Sequence, residues 1–195
     1  MDHMDGLTVE GCDRCPDLVD SRSRIVNGVG PEDPDLVFVG EAPGANEDEQ
    51  GEPFVGRSGD VLHDALRDAG LAREDVRITN CVRCRPPDNR DPHTAELENC
   101  RGYLERELDL LDPELIVTLG KVPGEHLLGR DVAVTAEAGD IDAVEIAGTE
   151  RRVMLCAHPA ATLYDPSQRE PFRETIRAAA AYADDEGGQS QLGDF

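Results

Sequence analysis

Six cysteines carry the most visible chemistry in this 195-residue chain, spaced as Cys12-x2-Cys15 and Cys81-x2-Cys84, with Cys100 and Cys156 apart. Two such knuckles suit four thiolates around a zinc ion, and in a reducing compartment cysteines serve as metal or cofactor ligands more often than as disulfides. Other positions could act on a bound group. His158 follows the apolar run VMLCA and precedes Pro159, which presents an imidazole where a strand ends, and Asn80 closes VRITN in the same way. Phe54 offers a flat apolar surface in a loop, and Glu41 and Glu47 flank the turn before it. Each also has a plainer use: a loop aromatic filling the core, a turn amide bonding its own backbone, a structural histidine, and two acids on an acidic surface.

The elements that must position these groups follow from hydrophobic periodicity. LVFVG (36–40), VRITN (76–80), LIVTLG (115–120) and the run ending RRVMLCAH are apolar stretches, as strands buried on both faces would be. Between them, SGDVLHDALRDAG spaces Val61, Leu62, Ala65, Leu66 and Ala69 at three and four, with Ser58 as cap and Gly70 as stop. Thr94–Leu111 carries Leu97, Leu104, Leu108 and Leu111 on one side and ends before Pro113. A short helix over 123–128 and a closing helix over 168–182 complete the set, with DVAVT and DAVEI as possible edge strands. The alternation predicts a three-layer α/β/α fold around a mostly parallel, four-stranded sheet. Ligands bind at strand C-terminal ends in such folds, so the segments after Gly40, at Asn80 and at His158 should share one edge. Fold alone names no reaction.

A chain of this length holds about one domain with a real core. Its 38% hydrophobic and 31% charged residues describe a soluble globular protein, and no stretch approaches the ~18 apolar residues of a membrane span. The acidic N-terminus lacks the basic and then apolar pattern of a signal peptide, so a cytoplasmic location is expected. Asp and Glu number 42 against 19 basic residues, of which Lys121 is the sole lysine, for a net charge of -23. Such a charge ordinarily argues against nucleic acid, whose binding draws on Lys and Arg releasing counterions. It also suits a cytoplasm at molar salt, where the Debye length falls to ~3 Å and self-repulsion is screened. The charge is therefore read as a statement about a halophile's solvent and not about the ligand.

Four strings occur together: CDRC (12–15), GEAPGANEDEQGEPFVGRSG (40–59), ITNCVRCRPPDNRDP (78–92) and AHPAA (157–161). In this order they resemble the family 4 uracil-DNA glycosylases, the iron-sulfur branch of that superfamily, here of a haloarchaeal kind. PFVGRSG and TNCVRCRPP make the likeness specific. The resemblance implies a monofunctional enzyme of base excision repair that flips uracil out of DNA and hydrolyses its N-glycosidic bond, leaving an abasic site. It implies that Phe54 stacks on the flipped base, that the backbone of Gly40, Glu41 and Ala42 contacts it, that Asn80 reads O4 and N3, and that His158 donates to O2 as the bond breaks. Glu41 is matched to orienting the water, and Glu47 to excluding thymine's methyl beside C5. Ala42 stands where another branch carries an aspartate that activates water, chemistry that alanine cannot perform. The reading of Asn80 has a physical warrant: an amide locked in one orientation accepts N3–H and donates to O4, whereas cytosine presents the opposite pattern.

For the cysteines the resemblance selects Cys12, Cys15, Cys84 and Cys100 as ligands of a 4Fe-4S cluster. Cys81 then becomes a strand-end thiol and Cys156 a buried apolar residue; spacing by itself leaves the zinc pairing with Cys81 open. Uracil-containing DNA is expected to meet Arg57, Arg83, Arg85 and Arg90, with Leu163 and Tyr164 entering the duplex as a wedge in the family manner. Residues 1–183 form the glycosylase domain with its cluster-binding N-terminal segment, and 184–195 a disordered tail. Within that tail Gln189, Leu192 and Phe195 resemble a sliding-clamp-binding box, a partner for an otherwise monomeric protein. Two other classes compete. One is a covalent uracil-trapping relative, for which CRPPDNRDP lacks a basic, histidine-bearing insertion; the other is a non-catalytic iron-sulfur or zinc DNA-binding module, which would need none of Phe54, Asn80 and His158.

Overall fold

The four apolar runs form the centre of the sheet, and a strand with almost no apolar run closes its edge. The structure, a computed structural model, describes residues 3–190. An N-terminal hairpin of β1 (His3–Asp5) and β2 (Thr8–Gly11) leads to α1 (Pro16–Ser21). β3 (Leu36–Gly40) is followed by α2 (Ala45–Gln50) and α3 (Arg57–Asp68), β4 (Arg77–Asn80) by α4 (Thr94–Leu111), and β5 (Leu115–Leu119) by α5 (Lys121–Leu128) and α6 (Val134–Glu137). The hairpin of β6 (Ile141–Ile146) and β7 (Thr149–Cys156) precedes α7 (Ala161–Tyr164) and α8 (Arg169–Ser190).

The main sheet runs β4-β3-β5-β7-β6, with the first four strands parallel and β6 antiparallel to β7. The expected three-layer α/β fold is present, but the sheet has five strands where four were expected. DAVEI supplies the fifth; DVAVT supplies none, its Val134 and Thr135 opening α6. β6 leaves most of its residues partly or fully exposed and turns back through Ala147 and Gly148, both left-handed (φ 52 and 84), the geometry of a two-residue hairpin. A strand so exposed has no apolar run to betray it.

Alternate residues of the central strands face opposite layers. Leu36, Phe38, Ile78 and Val117 pack with Leu62 and Leu66 of α3 and Ile176 of α8, while Val37, Val39, Ile116 and Val153 pack with Leu104 and Leu108 of α4. Helix α4 has the expected limits. Helix α8 runs beyond the expected end at Tyr182 and across the 183/184 boundary to Ser190; Leu192 and Phe195 of the clamp-like segment lie outside the described residues. No described helix is long and apolar enough to cross a membrane.

A buried ionic hub ties these layers to the N-terminus. Glu107 of α4, with 0% exposure, accepts from Arg77 Nε and Nη2 (3.1 and 3.0 Å) on one oxygen, and from Arg83 Nη2 (2.6 Å) and Thr79 Oγ1 (2.8 Å) on the other. A Cβ at Gly28 would lie 2.3 Å from Glu107 Oε1, so the carboxylate fits only because that residue has no side chain. Arg83 Nη1 continues to Asn27 Oδ1 (3.0 Å), and Asn27 pairs with Val9 N and O of β2 (2.8 and 3.2 Å) in the manner of a neighbouring strand.

Candidate active site and cysteine cavity

Parallel register sets Gly40 beside Asn80 and Leu119 beside Cys156, so the turns after β3, β4 and β7 emerge at one edge. A cleft of about 190 Å³ opens there, lined by Ala42, Gly44, Glu47, Phe54, Ser58, Asn80 and His158. Gly40 lies behind it. A Cβ on that residue would sit 2.4 Å from Asn80 Oδ1 and 2.6 Å from the Phe54 ring, so the close approach of strand, amide and ring requires glycine. Ser58, expected to cap α3, lines the cleft because the helix starts two residues earlier, capped by Gly56.

Phe54 is 6% exposed and held at a left-handed φ of 56, which costs a bulky residue ~1–3 kcal/mol. Glu47 fixes the loop that imposes it. One carboxylate oxygen accepts from Gly44 N and the other from Val55 N and Gly56 N, each at 3.1 Å. The side chain expected to police C5 thus borders the cleft while its oxygens are committed to aiming Phe54.

The rings of His158 and Phe54 lie 5.9 Å apart at 35°. His158 Nδ1 accepts from Ala160 N (3.1 Å), so a neutral imidazole carries its proton on Nε2. Burial holds the His158 pKa below the ordinary value, partly opposed by the charge of Glu47. The ring is therefore a neutral donor at pH 7. Asn80 is 3% exposed, and its Oδ1 has no hydrogen-bond partner among the described residues. A buried amide oxygen left so costs ~1–3 kcal/mol, which a ligand's N–H would recover.

Glu41 is the exception among the expected residues: half-buried, it meets the carboxyl of Asp91 and does not line the cleft. Burial, then the charge and hydrogen bond of Asp91, push the Glu41 carboxyl up to about 7. Asp91 carried no signal in the sequence beyond one more acid. Its loop is held by Arg90, which grips Glu96 with two bonds of 2.7 and 2.8 Å and donates to the Asp91 carbonyl (3.0 Å).

The expected arginine patch is only partly assembled. Arg83 is 1% exposed and belongs to the Glu107 hub, and Arg90 is engaged by Glu96, so neither is free for phosphate. Arg85 bonds Asn89 (2.7 Å) and Arg57 stays exposed beside the cleft loop. Tyr164, at the end of α7, is 88% exposed, with Leu163 half-buried beside it.

A second cavity is lined by Cys12, Cys15, Cys84 and Cys100, together with Leu18, Val82, Arg22 and Asn99. The zinc pairing through Cys81 is not assembled: Cys81 packs in the α4 layer and Cys156 in the α3/α8 layer, and burial pushes both thiols far up. Among the described residues no group of three or more Cys, His, Asp or Glu side chains is placed to hold a single metal ion. Instead, N–H donors face the sulfurs. Arg22 Nη1 donates to Cys84 Sγ (2.9 Å), Asn99 Nδ2 to Cys15 Sγ (3.4 Å), and the Arg83 backbone to Cys100.

The cleft at the strand ends thus presents an aromatic face, a buried amide and an imidazole N–H to one small space. The chain belongs to the uracil DNA glycosylase superfamily, whose family model matches residues 27–180. It is 40% identical to the type-4 uracil-DNA glycosylase of Archaeoglobus fulgidus over 91% of this chain and 92% of that protein. It is 37% identical to the type-4 enzyme of Thermotoga maritima over 92% and 93%. With the type-5 uracil-DNA glycosylase of Pyrobaculum aerophilum it shares 31% identity over 88% and 89%.

Proposed function

We infer that this chain excises uracil from DNA as a monofunctional glycosylase of base excision repair, hydrolysing the N-glycosidic bond and leaving an abasic site. The observation that carries this reading is the buried Asn80 Oδ1, without a partner among the described residues, at a cleft that also presents Phe54 and the Nε2–H of His158. A uracil stacked on Phe54 supplies N3–H to that oxygen and accepts at O4 from the Asn80 amide, a pattern cytosine cannot match. Negative charge builds on O2 as the bond breaks, and a preorganised neutral donor from His158 is worth ~3–4 kcal/mol there, as in comparable oxyanion sites. Ala42 has no group for water; Glu41, half-buried against Asp91 outside the cleft lining, is assigned that part and the balancing of the oxocarbenium-like sugar. Glu47 both aims Phe54 and crowds the C5 side of the base. Tyr164 and Leu163 fill the gap left in the duplex.

Cys12, Cys15, Cys84 and Cys100 are assigned to a 4Fe-4S cluster. Four thiols lining one cavity, with Cys81 packed elsewhere, are a donor set that suits a 4Fe-4S cluster. When bound, the cluster supplies a structural crosslink between the N-terminal segment and the 81–100 loop. We further assign the protein to a haloarchaeal cytoplasm as a monomer, with residues 1–183 as the catalytic unit and Gln189, Leu192 and Phe195 as a sliding-clamp contact. The test is incubation with a uracil-containing oligonucleotide at high salt followed by alkaline strand scission. Cleavage at uracil and not at thymine or cytosine is expected; an alkali-resistant protein adduct or unchanged DNA would overturn the reading.

A further inference from the structure

In a chain with more than twice as many acids as bases, 42 against 19, Arg22 turns its charge on a cysteine sulfur and a carbonyl and not on a carboxylate. Its guanidinium turns to the cysteine cavity. Nη1 donates to Cys84 Sγ at 2.9 Å and Nη2 to the Cys12 carbonyl at 2.6 Å, so one rigid fork holds ligand residues 72 positions apart (84 less 12). The backbone fixes the fork's origin: Arg22 N closes α1 on Leu18 O (2.9 Å), and Leu18 lines the same cavity.

We propose that Arg22 is a positioning residue for the cysteine-bound cluster, clamping the Cys12 and Cys84 segments together and compensating the negative charge that four thiolates bring into a partly buried cavity. The inference rests on the assignment of a cluster to these cysteines. Its physical basis is that charge-assisted hydrogen bonds are stronger than neutral ones, and that bonds to the sulfurs together with net charge set a cluster's electronic properties. Asn99 does the same for Cys15 without charge, its amide spanning Cys15 Sγ and the Arg14 carbonyl (3.4 and 3.2 Å). Arginine is required over lysine for the clamp, because only the fork reaches a sulfur and a carbonyl together.

The experiment uses full-length, cluster-loaded protein at high salt and reads the rate of iron release to a ferrous chelator and the position of the thiolate-to-iron absorption near ~400 nm. Arg22→Leu should release iron about tenfold faster, the lower end for a lost partner of a metal ligand. Its absorption should move to longer wavelength, because an uncompensated thiolate gives up its electron more easily. Arg22→Lys should restore the band position more than the release rate, keeping the charge but not the fork. Arg24→Leu, a neighbouring exposed arginine, should change neither. Wild-type release and an unmoved band in Arg22→Leu, with brown wild-type protein, would overturn the inference alone. Wild-type protein that takes up no iron on reconstitution would overturn the cluster assignment and this inference together.

Discussion

The cleft and the cysteine cavity lie at opposite extremes of how a chain builds a site. The cleft is set by strand register and by bonds within its turns: the sheet sets Gly40 beside Asn80, Glu47 reaches residues three to nine positions away, and His158 bonds Ala160. The cavity is set by long-range side chains, with Arg22 reaching Cys84, Asn99 reaching Cys15, and Glu107 tying Arg83, next to Cys84, to Thr79 of β4. A locally built site survives loss of a distant contact. One assembled from distant segments depends on every tie, and fails as a unit.

The sharpest break of that contrast is Glu107→Ala, because the hub serves both regions. Stripping a carboxylate from two buried guanidiniums should cost ~3–5 kcal/mol, lowering the melting temperature and accelerating iron loss together; an unchanged melting curve would remove the hub from the account. His158→Ala acts on the cleft alone, lowering single-turnover uracil excision about 10²–10³-fold with iron content at the wild-type level. Parallel loss of iron would show that the two regions are coupled through β7.

The pH profile sharpens the comparison within the cleft. On the role proposed for Glu41, with its carboxyl pushed up to about 7 by burial and Asp91, excision should fall as pH drops below about 7 and level off above it. Asp91→Asn removes a negative neighbour, which lowers the Glu41 pKa and moves the acid limb down, while burial, the larger cause, keeps it above an ordinary glutamate's. An unmoved limb would detach Glu41 from the water step. The smallest effect belongs to Cys81→Ser, which should keep both the iron and the excision rate, whereas Cys100→Ser loses the iron; the reverse pattern would restore the knuckle pairing.

Much of the cleft was legible in the sequence because its residues sit in contiguous strings at strand ends, where alternation fixes which turns meet. Gly40, Ala42, Glu47, Phe54, Asn80 and His158 come together as their strings implied, and the layers follow from the apolar runs. β6 was ambiguous because an exposed edge strand needs no hydrophobic signal. Asp91, Arg22, Asn99 and Glu107 were silent because each acts through a partner remote in sequence, and in a chain rich in acids one more Asp or Glu carries no information. Arg83 misled for the same reason reversed: it stands in a basic cluster in sequence, yet its partner Glu107 draws it inside.

The glycine at position 40 also limits how such a cleft can change. The space behind the amide and the ring is already taken up by their own atoms, so any side chain there displaces Asn80 and Phe54 together. A lineage exploring new bases has no neutral first step on that wall. Its accessible variation lies at Asn80, Glu47 and Ser58, of which Glu47 is bound by its service to the loop. New base preference is therefore expected to arise by altering the amide or the serine hydroxyl one at a time, and selections from libraries randomised at all four positions should return glycine at 40 before they return anything else unchanged.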